Sequence, residues 1–97
     1  MPTFIGLINW TDQGIRNFKD SPDRVAQGEQ LAQSVGVTLR DVYWTLGEHD
    51  LVLTMDAPDD ETATAFLLSL GSLGNVRTKT LRAFDREEMR SIIEKTG

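Results

Sequence analysis

The residues best equipped for chemistry cluster mid-chain, in Tyr43-Trp44-Thr45-Leu46-Gly47-Glu48-His49-Asp50. His49 is the only histidine. Imidazole titrates near neutral pH, which suits a general base. Asp50 is its neighbour, but adjacent strand residues point to opposite faces, so a simple His49–Asp50 dyad is geometrically poor. A carboxylate beside a phenol could move a proton on an enolisable substrate, which makes Tyr43 a third catalytic candidate. The same acid could instead bond across a subunit interface. Trp10 closes a strand beside a helix entry, where small-molecule pockets form between sheet and helices. The candidate ligand-binding residues are therefore Trp10, Tyr43, His49, Asp50 and Thr54. Glu48 lies in a turn and is expected to be solvated. With one histidine and no cysteine, multi-histidine and thiolate metal sites are excluded within one chain. There is no Gly-x-Ser-x-Gly elbow, and Gly71–Gly74 lacks the lysine of a phosphate loop. These residues leave the cofactor unknown.

These residues need elements to hold them. Thr3–Trp10 reads as a first strand with Phe4, Gly6, Ile8 and Trp10 on one face and Ile5 and Leu7 on the other. Apolar residues on both faces suit a central strand. Thr11–Asp12 caps a short helical piece carrying Ile15 and Phe18. Ser21-Pro22-Asp23 then predicts a helix start, with Ser21 as N-cap and Pro22 in the first turn. Its buried stripe is Val25, Gly28, Leu31, Ala32 and Val35, and Gly36 ends it. Gly28 either admits a close neighbour or merely weakens the helix.

Val37–Leu46 and Asp50–Met55 read as a hairpin around Gly47–Glu48. With a loop of two or four residues, Tyr43 opposes Val52 and Trp44 opposes Leu51, and opposed residues share a face. One face then carries Val42, Trp44, Leu46, His49, Leu51, Leu53 and Met55, expected under helices. The other carries Asp41, Tyr43, Thr45, Asp50, Val52 and Thr54. A second helix follows the acidic turn Asp59-Asp60-Glu61, burying Ala63, Phe66, Leu67 and Leu70. Asn75–Phe84 is a fourth strand. Asp85 and Glu88 have the spacing of a capping box opening a last helix, with Met89, Ile92 and Ile93 expected inward.

The order strand, helix, strand, strand, helix, strand, helix fits an α+β, ferredoxin-like βαββαβ domain with a C-terminal helix over residues 1–97. Helices cover one face of such a sheet. The other carries too much aromatic and β-branched material to sit in water, so a homodimer or higher homo-oligomer through that face is expected. At 97 residues with 39% hydrophobic content the chain makes one small domain that would gain from self-association. A formal charge of -5 argues against nucleic acid, and Arg77, Lys79 and Arg82 read as an exposed strand face. No apolar run is long enough to span a membrane, and no signal segment is evident, so the expected location is cytoplasmic.

Asn9-Trp10-Thr11-Asp12-Gln13-Gly14-Ile15-Arg16, the Tyr43–Asp50 stretch, Gly74-Asn75-Val76-Arg77-Thr78 and Leu81-Arg82-Ala83-Phe84 together resemble the GYD domain family, small proteins of the dimeric α/β-barrel type. The name-giving Gly-x-Tyr-Asp pattern stands here as Gly47-Glu48-His49-Asp50, with histidine in place of tyrosine. The resemblance implies a fold more than a reaction. It suggests a self-associating domain that binds a small, partly apolar ligand or serves in assembly. The alternative it allows is a cofactor-free oxygenase, isomerase or dehydratase, which would bring Tyr43, Asp50, Trp10 or His49 within reach of one another. An axial haem ligand is a further role for His49, from related barrels. Pro2, if exposed as an N-terminal amine, would resemble the base of tautomerases.

Overall fold

The computed structural model describes residues 1–97. Its elements are β1 (Thr3–Trp10), α1 (Asp12–Arg16), a single 3-10 turn (Phe18–Asp20), α2 (Ser21–Ser34), β2 (Thr38–Trp44), β3 (Leu51–Asp56), α3 (Asp60–Ser72), β4 (Val76–Ala83) and α4 (Arg86–Glu94). The four strands form one antiparallel sheet in the order β2-β3-β1-β4. This is the ferredoxin-like α+β arrangement expected from the element order. β1, apolar on both faces, is central as its composition required.

Alternation along the strands divides the molecule in two. Phe4, Ile8, Leu51, Leu53 and Met55 are buried and face α2 and α3, whose Ala32, Ala63 and Phe66 complete the core. The opposite face carries Ile5, Leu7, Val52, Thr54, Asp41, Tyr43, Lys79 and Leu81, and no helix packs on it. The hairpin pairs Tyr43 with Val52 and Trp44 with Leu51, as expected, through a four-residue loop closed by the Thr45 N–H donating to the Asp50 carbonyl at 2.9 Å. A bulge at Arg40 then shifts the register by one, so Leu39 meets Met55.

Three local expectations are corrected, and the open alternative for Gly28 is decided. β2 stops at Trp44, and Leu46 lies fully exposed in the loop rather than under the helices. Gly47 takes a φ of +120° there, which ends the extended run two residues early. Ser21 is the first residue of α2 and not its cap; it is 4% exposed, and its Oγ accepts from Trp44 Nε1 at 2.9 Å. That half-buried bond ties the hairpin to α2. Gly28 has only Leu70 nearby, 3.8 Å from where a Cβ would sit, so no backbone approaches it.

The third correction concerns α4. The capping box is formed, with the Glu88 N–H donating to Asp85 Oδ1 at 2.8 Å and the Asp85 N–H donating to Glu88 Oε1 at 3.0 Å. Yet no residue of α4 is buried, and Met89 and Ile93 are about half exposed. The helix forms from local signals and projects from the sheet, and of its apolar stripe only Ile92 is partly covered by this chain. The late basic cluster is likewise divided by strand alternation. Arg77 and Lys79 stand on the uncovered face. Arg82 stands on the other, 4.5 Å over the Phe84 ring, with its guanidinium donating to the Thr3 and Ala83 carbonyls.

Candidate functional site

The motif segments meet at one corner of the sheet. At the end of β1, Thr11 caps α1 by accepting from the Gly14 N–H at 3.1 Å, while its own N–H donates to the Asn75 carbonyl at 3.0 Å and its hydroxyl to the Gly74 carbonyl at 2.5 Å. Gly14 is buried against this loop: a Cβ there would stand 2.0 Å from the Asn75 carbonyl oxygen. Gln13 Nε2 completes the junction, donating to the Leu73 carbonyl at 3.2 Å and to Asn75 Oδ1 at 2.9 Å. The first and third motifs are thus halves of one backbone lock.

The hairpin motif closes on the same strand. Asp50 Oδ2 accepts from the Trp10 N–H at 2.8 Å, and the Asp50 N–H donates to the Ile8 carbonyl at 2.9 Å. Asn9 Nδ2 donates to the Glu48 carbonyl at 2.7 Å, which turns Asn9 Oδ1 toward His49 Nδ1 at 3.0 Å. Since an amide oxygen only accepts, His49 donates from Nδ1 and keeps Nε2 free. Asn9 alternates with Ile8 and Trp10 along β1, so His49 lies toward the uncovered face. This corrects its expected place beside Leu46 and under the helices. In the sequence the sign of this role is a polar side chain, Asn9, next to the end of an otherwise apolar strand.

Two concavities flank the corner. The first lies between the sheet and α2 and α3. It is a cavity of about 80 Å³ walled by Val25, Leu51, Leu53, Phe66, Leu70 and Val76. Trp10 lines it, and the Trp10 indole Nε1 is buried with no hydrogen-bond partner. The second is open and runs along the β4 edge, lined on one side by Leu67, Leu68, Gly71 and Ser72 of α3 and otherwise mostly by polar residues. His49, Asn9, Arg77 and Lys79 contribute to it. With three apolar residues in its lining and an open mouth, it does not enclose a haem ring, so these residues do not fit that group.

The candidates are therefore distributed over the molecule. Trp10 stands over the helix-side cavity. Asp50 is committed to a backbone N–H, and His49 is held by Asn9. Tyr43 is 64% exposed on the uncovered face, where Thr54 Oγ1 donates to Asp41 Oδ2 at 2.9 Å. Pro2 immediately precedes β1, its carbonyl accepting from the Ala57 N–H at 3.0 Å, and it lines neither concavity. No group of three or more His, Cys, Asp or Glu is placed to hold a metal ion. Arg24 was not singled out in the sequence. It reaches from α2 to the corner, with Nη1 donating to the Asn17 carbonyl at 2.7 Å and Nη2 to the Gly14 carbonyl at 3.2 Å.

Comparison with known proteins gives three findings. The GYD domain profile matches residues 4–93. The chain is 37% identical over 84 residues to a glutamine synthetase and cystathionine beta-lyase binding protein of Thermus thermophilus, covering 86% of this chain and 88% of that protein. Its fold is similar to that of a feast or famine regulatory protein from M. tuberculosis solved with L-methionine, with a TM-score of 0.67 at 19% identity. That match covers 88% of this chain and 51% of the other, so this chain spans about half the length of that structure.

Proposed function

This chain belongs to the GYD domain family, and from that premise we propose that it is a binding module that works by assembly, pairing its uncovered sheet face with a second copy of itself. The observation that carries this reading is the apolar strip across that face. Tyr43, Val52 and Leu7 sit in one cross-strand row, ending at Lys79, and Ile5 and Leu81 sit in the next row, which begins at Asp41 and Thr54. A strip of this kind facing water is costly at roughly 25 cal/mol per Å² of apolar surface.

The charges support a two-fold pairing. Asp41 lies on one edge strand and Lys79 on the opposite edge strand. A two-fold axis running along the strands sets β2 of one copy over β4 of the other, so acid approaches base twice. Tyr43 and Thr54 act in this reading as interface residues. Asp50 and His49 act as fasteners of the corner behind it. We infer a cytoplasmic setting from the absence of cysteine in a small domain and of any helix able to cross a membrane.

A second reading, that the assembled module docks onto a larger metabolic enzyme, is favoured by the name of the Thermus relative. Sedimentation velocity tests the first reading. The wild type is expected as a dimer or larger at micromolar concentration, and Val52→Asp as a monomer with unchanged helix content. A monomeric wild type would overturn it. Co-sedimentation with purified glutamine synthetase of the same source organism tests the second, and separate boundaries would reject it.

A further inference from the structure

We propose that the helix-side cavity is a binding site for a short, branched aliphatic carboxylate, its chain held by the core and its carboxylate held at the Trp10 corner. The proposal is independent of assembly through the sheet. It begins with Trp10 Nε1, a donor that is buried and unpartnered. Leaving such a group unsatisfied costs about 1–3 kcal/mol, and buried donors in folded proteins are overwhelmingly paired. The other tryptophan shows the ordinary solution, since Trp44 Nε1 donates to Ser21 Oγ at 2.9 Å.

The cavity beside Trp10 supplies the apolar half of the ligand. Its walls are Val25, Leu51, Leu53, Phe66, Leu70 and Val76. Its volume of about 80 Å³ is roughly half that of the ~150 Å³ cavity known to take up benzene. An isopropyl group suits that space better than a ring.

The charge comes from Arg24, which also lines the cavity. Arg24 and Trp10 belong to the same end of it: Arg24 Nη2 donates to the Gly14 carbonyl, Gly14 abuts Asn75, and the next residue, Val76, pairs with Trp10. Guanidinium offers five N–H donors, and the two bonds Arg24 makes are both to neutral carbonyls. It forms no ion pair in this chain. A carboxylate at this corner would accept from the indole and meet a guanidinium that makes no ion pair within 4 Å, with Asp20 and Asp23 sharing only the outer concavity beside it. A neutral alcohol or hydrocarbon would use only part of what the site offers.

The experiment is a titration of the full chain, labelled with ¹⁵N, with isobutyrate and separately with isobutyramide. The two indole N–H signals report independently. Isobutyrate is expected to move the Trp10 signal downfield and saturably while Trp44 stays in place, and isobutyramide to bind about tenfold more weakly. Trp10→Phe keeps the ring and removes the donor. It is expected to weaken isobutyrate about tenfold, as for loss of one hydrogen bond, read by saturation transfer on the ligand. Val25→Phe fills the cavity and is expected to abolish binding with the Trp44 signal unmoved. If that variant fails to fold, Trp10→Phe still decides. A Trp10 signal unmoved by either probe and exchanging with water would mean a hydrated core defect and overturn the proposal. Equal binding of acid and amide would overturn the role of Arg24 and with it the carboxylate class.

Discussion

Gly14→Ala isolates the corner on which the family's motifs converge. The added Cβ would stand 2.0 Å from the Asn75 carbonyl oxygen and 2.9 Å from its carbon. Both atoms are backbone, so no rotamer change relieves the clash. The α3–β4 loop must move away, and Thr11 then loses two bonds, to the Asn75 carbonyl at 3.0 Å and to the Gly74 carbonyl at 2.5 Å. Overpacking of this kind costs about 1–3 kcal/mol, and each lost bond about 0.5–1.5 kcal/mol. Alanine in a helix returns about 0.5–1 kcal/mol relative to glycine. The net is a loss of roughly 1–5 kcal/mol, centred near 3. At about 4–8 °C per kcal/mol for a domain of this size, the midpoint should fall by roughly 12–24 °C. Thermal and urea unfolding of the purified protein measure it. Gly28→Ala is the control, because its Cβ would meet only a Leu70 methyl at 3.8 Å; it should gain about 0.5–1 kcal/mol. If Gly14→Ala unfolds within about 0.5 kcal/mol of wild type, the usual range of a neutral surface change, the lock described here does not hold.

Three further expectations concern the fasteners. Asp50→Ala removes the acceptor of the Trp10 N–H and should cost about 1–3 kcal/mol in urea unfolding, with Asp50→Asn milder; a loss of activity or binding without loss of stability would contradict the fastening role. Asp59 accepts from the Thr62 N–H at 2.7 Å and from the Thr62 side chain, which holds its carboxyl below its ordinary 3.8. Its contribution is therefore present above the unfolded value and lost as pH falls through the folded one; acid titration of thermal stability should show this loss in the wild type and not in Asp59→Asn. Met89→Lys with Ile93→Lys should leave the unfolding free energy of a dissociated protein within about 0.5 kcal/mol, since α4 buries none of its residues; a large loss would mean that α4 packs on its own chain.

Local rules and long-range rules were legible in the sequence to different degrees. Alternation in β1 placed Phe4, Ile8 and Trp10 together and made the strand central, because burial on both faces leaves a signature in composition alone. The hairpin register followed from loop length, and the capping box of α4 from spacing. The same spacing logic failed where a side chain answers to a partner far along the chain. Ser21 looks like a cap because serine before proline usually is one, yet it stands buried under Trp44, 23 positions away. The stripe of Met89, Ile92 and Ile93 looks buried because amphipathic helices usually cover a core, but periodicity shows which face is apolar and not what lies opposite it.

His49 is the sharper case. Its parity in the hairpin predicted the helix side, but the four-residue loop frees it from parity, and Asn9 draws it to the other face. The fastening uses Nδ1, which is bonded directly to Cγ and so meets Asn9 close to the backbone, whereas a phenol oxygen lies across its ring and would reach farther out. Histidine at this position therefore makes a fastening of its own and leaves Nε2 unbonded at the open concavity that Arg77 and Lys79 also line. The substitution leaves the corner's backbone bonds through Asp50 untouched. On this geometry the central motif is a clasp joining the hairpin to β1. The chemistry of the molecule then rests on the surfaces that the clasp positions: the apolar strip on one face of the sheet and the cavity beside Trp10 on the other.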